Sequence, residues 1–294
     1  MPKRSPFTLV CARLAQLDAP ARADLHTHTT ASDGEYTASQ VVALARQAGL
    51  RAIAVTDHDT LASVPEAQGA AGDAIELVTG VEISTSFVGR EFHLLGYFVR
   101  TDHAALNAAL AVVCESRRAR FRELVALLPE RGVHIAEDRV RLVEEATASL
   151  GRRHVAGLVV GCGAATTRTE AFHRFVNPLV KKVPCKSLVP IEEAIALVHA
   201  AGGVASLAHP PSDLTDEQFA SLRDLGLDAL EVVYPWGRSS PAARLRATAA
   251  NLGLAISGGS DCHGPNPAHR RIGSCAITSD ELGALRDRIG CATR

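Results

Sequence analysis

Short β-type runs alternate with helical patterns along most of this sequence from residue 22 onward. This alternation is typical of parallel βα units, in which each strand is followed by a helix that returns the chain to the same end of a sheet. The helical stretches have apolar residues at intervals of three and four and end in glycine, as in TASQVVALARQAG. The pattern predicts an α/β protein with a TIM-like barrel. The predicted strands are Ala23–His26, Ala52–Thr56, Leu77–Ile83, Glu91–Val99, Val204–Ala208, Ala229–Val233 and Leu254–Ser257.

The alternation stops between residues 102 and 189, where Ala, Arg, Leu and Glu dominate and the stretches have helical patterns, as in AALNAALAVVCESRRARFRELVALL. This change predicts a helical insertion that contributes to substrate binding and returns the chain to the barrel near Pro190. The first 22 residues have basic residues before an apolar run that Arg13 and Gln16 interrupt, so we expect a peripheral extension there. The predicted domains are an extension of residues 1–22, a barrel of residues 23–101 and 190–294, and an insertion of residues 102–189.

The composition limits the kind of partner that the chain is expected to have. The 31 basic and 32 acidic side chains give a formal net charge of -1, so no global positive field draws the protein to nucleic acid or to an anionic membrane. No stretch reaches the roughly 20 apolar residues that a membrane span requires. The 7 cysteines form no CxxC pair and are too sparse for a disulfide framework, which favours a cytoplasmic location. No feature of the sequence indicates an obligate protein partner.

Residues able to bind a metal follow the first two predicted strands. In DLHTHT, His26 and His28 are two positions apart, so both point to the same side of an extended chain and can bind one ion together. Asp33 lies in the turn-like SDGEYT segment, before a helix for which Thr37 is the predicted N-cap. His58 lies in TDHD, directly after the apolar run RAIAV. Taken singly, each also has a structural explanation as a packed histidine, a turn aspartate or a residue of a capping turn.

Later strands carry five further candidates. Glu82 lies in the apolar β-sequence LVTGVEIS, where an ionised carboxylate is costly to bury without a cation or a hydrogen-bond partner. His93 lies inside REFHLLGYF, where a packed core histidine is the alternative, and His209 ends the strand of VASLAHPP. Asp261 and His263 in GGSDCH repeat the two-residue spacing of the first histidine pair, and the preceding glycines allow close approach of the backbone.

The recurrence of these residues at strand ends is the main argument for a site. Five separate β-type runs each deliver a histidine or a carboxylate at or near their C-terminal end. In a TIM-type barrel those ends converge on one face, where catalytic residues gather. The sequence therefore predicts a metal site at this face. Nitrogen and oxygen ligands without a thiolate suit manganese, iron or zinc in a hydrolytic role.

These segments, in this order, resemble the PHP family, which is named for its polymerase and histidinol phosphatase members. The similarity runs from Ala23 to Ile277 and includes HxH, the aspartate of SDG, TDHD, the glutamate of GVE, AHP and GGSDxH. It implies a distorted (β/α)7 barrel with a helical insertion, and a metal-dependent phosphoesterase with about two or three divalent ions, manganese foremost. The resemblance assigns one ion to His26, His28, Glu82 and Asp261, a second to Asp33, His58 and His263, and a third to Glu82, His93 and His209.

The resemblance also implies a reaction, in which a hydroxide that bridges the ions attacks phosphorus. Paired ions lower the pKa of a bound water and bind the attacking and leaving oxygens, while cationic side chains neutralise the charge that develops. The predicted catalytic residues are Glu82, Asp261 and His154. The predicted phosphate-binding residues are Arg152, Arg153, His154, Lys181 and Lys182, with Arg270 and Arg271 as further candidates. Solvated helix charges are the alternative explanation for the basic residues of the insertion.

The insertion, with its GRRH and KK sequences, resembles the subgroup that hydrolyses nucleoside 3',5'-bisphosphates and trims RNA from its 5' end. The predicted substrates are therefore nucleoside 3',5'-bisphosphates such as pAp, cleaved at the 3'-phosphate, and short 5'-phosphorylated RNA. The near-neutral charge favours small substrates over long polymers. A histidinol phosphate phosphatase and a noncatalytic metal-binding PHP module are the alternatives. The histidines predicted to be structural or superficial are His103, His134, His173, His199 and His269.

Overall fold

The computed structural model describes residues 22–237 and 240–290, so the predicted extension of residues 1–22 lies outside the described residues except for Arg22. All seven predicted strands are present. Two further strands, β5 and β9, have two residues each and are too short for the hydrophobic pattern to indicate them. The strands within the described residues are β1 Arg22–Asp24, β2 Ala52–Val55, β3 Glu76–Phe87, β4 Arg90–Tyr97, β5 Val189–Pro190, β6 Val204–Leu207, β7 Ala229–Val233, β8 Ala255–Gly258 and β9 Ile277–Thr278.

The strands form one barrel-shaped sheet in the order β8-β7-β6-β4-β3-β2-β1-β9, with β5 paired to β3. Neighbouring strands are parallel except in three pairs. Strand β9 is antiparallel to β1, and β4 is antiparallel to both β3 and β6. A hairpin turn at Val88 and Gly89, both with positive φ, joins β3 to β4 where the regular pattern would have a helix. This hairpin is the distortion of the barrel, and it makes β3 and β4 the longest strands.

The sheet nearly closes where the chain runs beyond β1 and β8. The amide of Leu25 donates to the carbonyl of Gly258 at 3.1 Å, and the amide of His28 donates to the carbonyl of Cys262 at 2.9 Å. The amide of Asp261 donates to the carbonyl of His26 at 2.8 Å. These bonds place the DLHTHT and GGSDCH segments side by side. The prediction of a distorted (β/α)7 barrel is confirmed.

The helices surround the barrel and fill the chain between β4 and β5, and a π-helical turn, Phe172–Val176, lies between α6 and α7. Thr37 caps α1 as predicted, because its side chain accepts from the amide of Gln40. None of the helices in residues 22–237 and 240–290 has the length and apolar character needed to cross a membrane. The helices are α1 Ala38–Gln47, α2 Val64–Ala71, α3 Ala104–Leu127, α4 Glu137–Ala146, α5 Arg152–Gly161, α6 Arg168–Ala171, α7 Asn177–Val180, α8 Ile191–Ala200, α9 Asp216–Asp224, α10 Ala242–Leu252 and α11 Ser279–Arg286.

The chain between β4 and β5, residues 104–188, is called the helical segment below, and it has a hydrophobic core of its own. Phe121 and Leu124 of α3 pack there with buried residues of α5 such as Val155. The first half of α3 packs instead against the barrel, through buried Leu106 and Leu110. Helix α3 therefore belongs to both cores, and it holds the helical segment against the C-terminal ends of the barrel strands.

Candidate metal centre

The Glu82 carboxylate lies at the centre of a cluster of histidines at the C-terminal face of the barrel. It is buried, and it lies in strand β3. Glu82 Oε2 lies 3.4 Å from His26 Nε2, 3.3 Å from His28 Nε2 and 2.9 Å from His58 Nδ1. Its other oxygen, Oε1, lies 2.8 Å from Nδ1 of His93 on β4. Glu82 thus contacts residues from several strands at once.

His26, His28 and Asp261 form the part of the cluster beside the barrel seam. His28 Nε2 lies 3.2 Å from Asp261 Oδ1, and His26 Nε2 lies 3.6 Å from the same oxygen. Both histidines are fully buried. The two-residue spacing in DLHTHT and GGSDCH therefore has the expected effect, since the side chains that alternate toward the barrel mouth meet there.

A second group of ligand atoms comes from the loops that follow β1, β2 and β8. His263 Nε2 lies 3.1 Å from Asp33 Oδ1, and His58 Nε2 lies 3.9 Å from that oxygen. One nitrogen or oxygen atom from each of His28, Asp33, His58 and His263 lies within 4.8 Å of the others. This spacing suits a single ion held by three or four ligands.

His93 and His209 complete the cluster on the side of the hairpin. His93 Nδ1 lies 2.8 Å from Glu82 Oε1, and His209 Nε2 lies 3.0 Å from the same oxygen. The β3–β4 hairpin pairs His93 with Ser84, which is two residues after Glu82 on the same strand. His93 is therefore brought beside Glu82. The structure thus brings together all nine residues that the sequence singled out as metal ligands.

Several buried ligand atoms of this cluster lack a hydrogen bond of acceptable geometry within the described part of the chain. A buried donor or acceptor without a hydrogen bond costs free energy, so a cluster of such atoms requires a binding partner. The donor set is all nitrogen and carboxylate oxygen, which fits divalent transition metals. The orphaned atoms are His26 Nε2, His28 Nδ1, His28 Nε2, Asp33 Oδ1, His58 Nδ1 and Glu82 Oε2.

The electrostatics of the cluster also fit a cation. Burial opposes ionisation of Glu82, but the charges of His58 and His93 hold the pKa of its carboxyl well below the usual range. Burial favours neutral histidines, yet Glu82 raises the pKa of His93 to about 9 and Asp33 raises that of His263 to about 9. Protonated His93 and His263 compensate part of the carboxylate charge, whereas burial lowers the pKa of His58 to about 4. A divalent cation bound in the cluster would supply that charge and release the protons.

Buried carboxylates outside the cluster hold its members in place. Glu231 of β7 accepts from His26 Nδ1 at 2.8 Å and from the backbone amide of His209 at 2.6 Å. Asp57 accepts from Thr29 and from two serine hydroxyls, which fixes the loop between His28 and Asp33. Such contacts orient metal ligands and set which histidine nitrogen is free. Glu231 shows the same signal as Glu82, a carboxylate within an apolar strand, and the sequence analysis missed it.

Asp261 is fixed from the side away from the histidines. The Tyr234 hydroxyl donates to Asp261 Oδ2 at 2.8 Å, and Arg270 forms an ion pair with the same oxygen. Asp261 and His209 also have positive φ, of 50° and 28°, which non-glycine residues rarely adopt. Strained backbone of this kind is concentrated at functional sites. Asp261 therefore presents Oδ1 alone to the cluster.

A cavity of about 630 Å³ opens above the cluster, between the barrel face and the helical segment. Of the predicted phosphate-binding residues, Arg152 and Arg153 line it. Arg270 lines it as well, whereas Arg271 does not. The cavity also has three cationic side chains that the sequence analysis missed, because their helical or loop pattern carries no distinguishing signal; they are Arg117, Arg120 and Lys186.

The remaining basic candidates are placed differently. Lys181 and Lys182 are exposed and do not line the cavity, and Lys182 Nζ lies 2.5 Å from Glu130 Oε2. His154 uses both ring nitrogens within the protein. Its Nδ1 accepts from the amide of Gly151 at 2.9 Å, and its Nε2 donates to the carbonyl of Ser32 at 2.9 Å. Burial lowers the pKa of His154, so the ring is held neutral between α5 and the loop that carries Asp33.

Comparison with known proteins agrees with this geometry. The model of the PHP domain matches residues 24–173. The chain is 34% identical to the 5'-3' exoribonuclease Rnm of Salmonella typhimurium, over 83% of this chain and 86% of that protein. It is 28% identical to a 3',5'-nucleoside bisphosphate phosphatase of Chromobacterium violaceum, over 86% of this chain and 91% of that protein.

A solved structure from Bifidobacterium adolescentis, described as a proposed metal-dependent phosphoesterase, superposes with a TM-score of 0.83. It has 31% sequence identity, and the match covers 92% of this chain and 98% of that chain. The histidine and carboxylate cluster, the barrel that positions it and these similarities lead to one conclusion. This chain belongs to the PHP domain family and is a metal-dependent phosphoesterase.

Proposed function

We propose that this phosphoesterase removes the 3'-phosphate of nucleoside 3',5'-bisphosphates and also acts on short 5'-phosphorylated RNA. The observation that carries the proposal is the cavity above the cluster, which joins the ligand atoms of Asp33, His58, His93 and His263 to cationic side chains from the helical segment. Six arginine and lysine residues line it against two carboxylates, those of Asp33 and Glu91. A substrate with more than one phosphate matches this excess of positive charge.

The volume of the cavity supports a small substrate. About 630 Å³ lies in the range of sites that enclose one nucleotide-sized ligand. The relatives named as a 5'-3' exoribonuclease and as a 3',5'-nucleoside bisphosphate phosphatase support the same class of substrate. We therefore assign a mononucleotide bisphosphate, or the 5' end of a short strand, to this cavity.

We assign the divalent ions, with manganese as the expected metal, to the nine clustered residues. Glu82 would help to hold the ions on both sides of the cluster, because its two oxygens face different subsets of histidines. Asp261 would contribute Oδ1 to the ions, since Tyr234 and Arg270 engage its other oxygen. When bound, such ions supply Lewis-acid polarisation of the phosphate and activation of water.

The chain's own cations bind and orient the phosphate. Arg153 Nε donates to the carbonyl of Asp33 at 3.1 Å and lies 3.6 Å from its carboxylate, so the guanidinium is held beside a metal ligand. Lys186 Nζ lies 2.8 Å from Glu91 Oε1, next to His93, and Arg270 also lines the cavity. These groups are positioned to neutralise charge that develops on the phosphoryl oxygens. Preformed positions of this kind require little reorganisation during the reaction.

His154 has a positioning role in this proposal. Its ring joins Gly151 to the carbonyl of Ser32, and Ser32 precedes Asp33. A neutral ring with both nitrogens engaged is unsuited to donate a proton to the leaving oxygen. Lys186 is better suited to that step, since it lines the cavity and burial lowers the pKa of its ammonium group.

The test is a comparison of substrates on purified, manganese-loaded protein. Hydrolysis of adenosine 3',5'-bisphosphate is expected to exceed that of histidinol phosphate by at least about 100-fold in kcat/KM. The reason is that only the nucleotide has a second phosphate, which the other cationic side chains of the cavity lining can bind. Phosphate release is measured from both, and from a 5'-phosphorylated trinucleotide. Equal or greater activity on histidinol phosphate would refute the proposed substrate, and no release from any phosphoester would refute the proposed reaction.

A further inference from the structure

One part of the cavity is apolar. It is lined by Phe121, Leu124, Leu150, Phe172 and Val180 of the helical segment. Phe121, Leu124 and Leu150 each have 1% of their surface exposed, so they offer little area to a ligand. Phe172 and Val180 are only partly buried. Phe172 is thus the partly exposed phenylalanine of the cavity lining.

The backbone at Phe172 has an unusual conformation. Phe172–Val176 is a π-helical turn inserted between the short helices α6 and α7. It buries Phe175 and Val176 in the core of the helical segment, while Phe172 is left at the cavity. Turns of this type are rare and occur frequently at functional sites. The turn therefore supports a ligand-binding role for Phe172.

Two cations of the cavity have no partner within residues 22–237 and 240–290. The lining guanidinium and ammonium groups of Arg117, Arg153, Lys186 and Arg270 are each paired with a carboxylate. Arg120 and Arg152 also line the cavity, yet neither makes a hydrogen bond or ion pair there. Unpaired arginines on a cavity wall are suited to bind an anionic group of a ligand.

We propose that Phe172 is the platform on which the nucleobase of the substrate stacks, and that Arg120 and Arg152 bind the phosphate that is not hydrolysed. This inference rests on the proposed function and deepens it, because it assigns recognition of the base and of the second phosphate to the helical segment. Stacking on one aromatic ring accepts any base, since every base has a π face. The protein is therefore expected to discriminate nucleotides from sugar phosphates more strongly than one base from another.

The test is equilibrium binding of AMP and of ribose 5-phosphate to the manganese-loaded protein by titration calorimetry. The two ligands share the 5'-phosphate and differ in the base. We expect AMP to bind about tenfold or more tightly than ribose 5-phosphate, which corresponds to the contribution of one stacked base. Phe172→Leu, which removes the ring and keeps an apolar side chain, is expected to abolish most of that preference. Phe172→Tyr, which keeps the ring, is the matched control and is expected to stay within about twofold of the unmodified protein.

Equal affinity of the unmodified protein for the two ligands would overturn the inference, as would an equal loss for both ligands in Phe172→Leu. If Phe172→Leu loses its fold by circular dichroism, Phe172→Met gives a second non-aromatic variant.

A second binding experiment tests Arg120. Arg120→Gln is expected to weaken the binding of AMP about tenfold and that of adenosine less than twofold. An equal effect on AMP and adenosine would contradict the role of Arg120. Binding needs no turnover, so a protein that prefers AMP but hydrolyses no phosphoester would refute the proposed reaction and leave the base platform supported.

Discussion

The barrel face and the helical segment place their predicted site residues in different ways. All nine residues predicted as metal ligands lie in one cluster at the barrel face, around Glu82. Of the five residues predicted to bind phosphate in the helical segment, Arg152 and Arg153 line the cavity, and the others do not. His154 is held between two backbone groups, and Lys181 and Lys182 are exposed on the surface.

The difference follows from the geometry of the two elements. In a strand the side-chain direction alternates strictly, and in a barrel the C-terminal ends of the strands converge on one face. The strand therefore determines the position of a polar residue at its end. On a helix, the side that meets the active site depends on how the helix packs, which local sequence does not determine. Substitutions at the barrel face should accordingly affect catalysis directly, and those in the helical segment should affect mainly substrate binding.

The largest expected effect is at Glu82. Glu82→Gln keeps the size of the side chain but weakens a ligand that contacts histidines of every subset. We expect kcat to fall by about three orders of magnitude or more, beyond the about 10–100-fold typical for residues that only orient a ligand. Phosphate release is measured, with circular dichroism to show that the fold is kept. Asp261→Asn is expected to have a similar effect, and near-normal activity in either variant would disprove the assigned site.

The next effect in size is expected at Glu231, which contacts two ligands without belonging to the cluster. Glu231→Gln removes the charge that orients His26 and the backbone of His209. Manganese affinity is expected to fall about 10–100-fold in a competition titration against a chelator. Glu76→Gln, which alters a carboxylate paired with exposed Arg286, serves as the control. Unchanged manganese affinity in Glu231→Gln would mean that this carboxylate inside the barrel does not contribute to metal binding.

A smaller effect on kcat/KM is expected for cations of the helical segment. It should differ between those that line the cavity and those on the surface. Arg153→Gln removes a guanidinium held beside Asp33, and kcat/KM is expected to fall about tenfold. Lys182→Gln, which alters an exposed ion pair with Glu130, is expected to stay within about twofold. Initial rates on adenosine 3',5'-bisphosphate measure both. An equal loss in the two variants would show that the helical segment acts through its overall charge and not through the cavity.

The smallest effect concerns the stability of the helical segment alone. The amide of Thr166 and the ion pair with Arg174 lower the pKa of Glu170 to about 2. Because the folded-state pKa lies below the usual 4.5, this carboxylate stabilises the fold above pH 4.5, and the contribution is lost as the pH falls through about 2. Glu170→Gln is expected to lower Tm by no more than about 2 °C at pH 7. The Tm difference should narrow between pH 4.5 and pH 2, and a constant difference would contradict the assigned pKa.

The sequence predicts most of the barrel and its cluster, but only part of the rest. The spacing of His26 and His28 is sufficient to place both, because backbone pairing at the seam orients them toward Glu82. Glu231 was within reach of the same reasoning, since it is a carboxylate in the apolar strand ALEVV. Lys186 was not, because its approach to Glu91 depends on the path of a loop after α7. The antiparallel β3–β4 pair was within reach, because the seven residues between the two predicted strands are too few for the crossover that parallel strands require.

The central claim is that the strand-end cluster holds catalytic divalent ions. The most direct test is the metal content of the purified protein after reconstitution with manganese, measured by inductively coupled plasma mass spectrometry. We predict about two to three equivalents per chain for the unmodified protein, and at least one fewer in the double variant His93→Ala, His209→Ala. Less than one equivalent in the unmodified protein, or the same content in both proteins, would contradict the account.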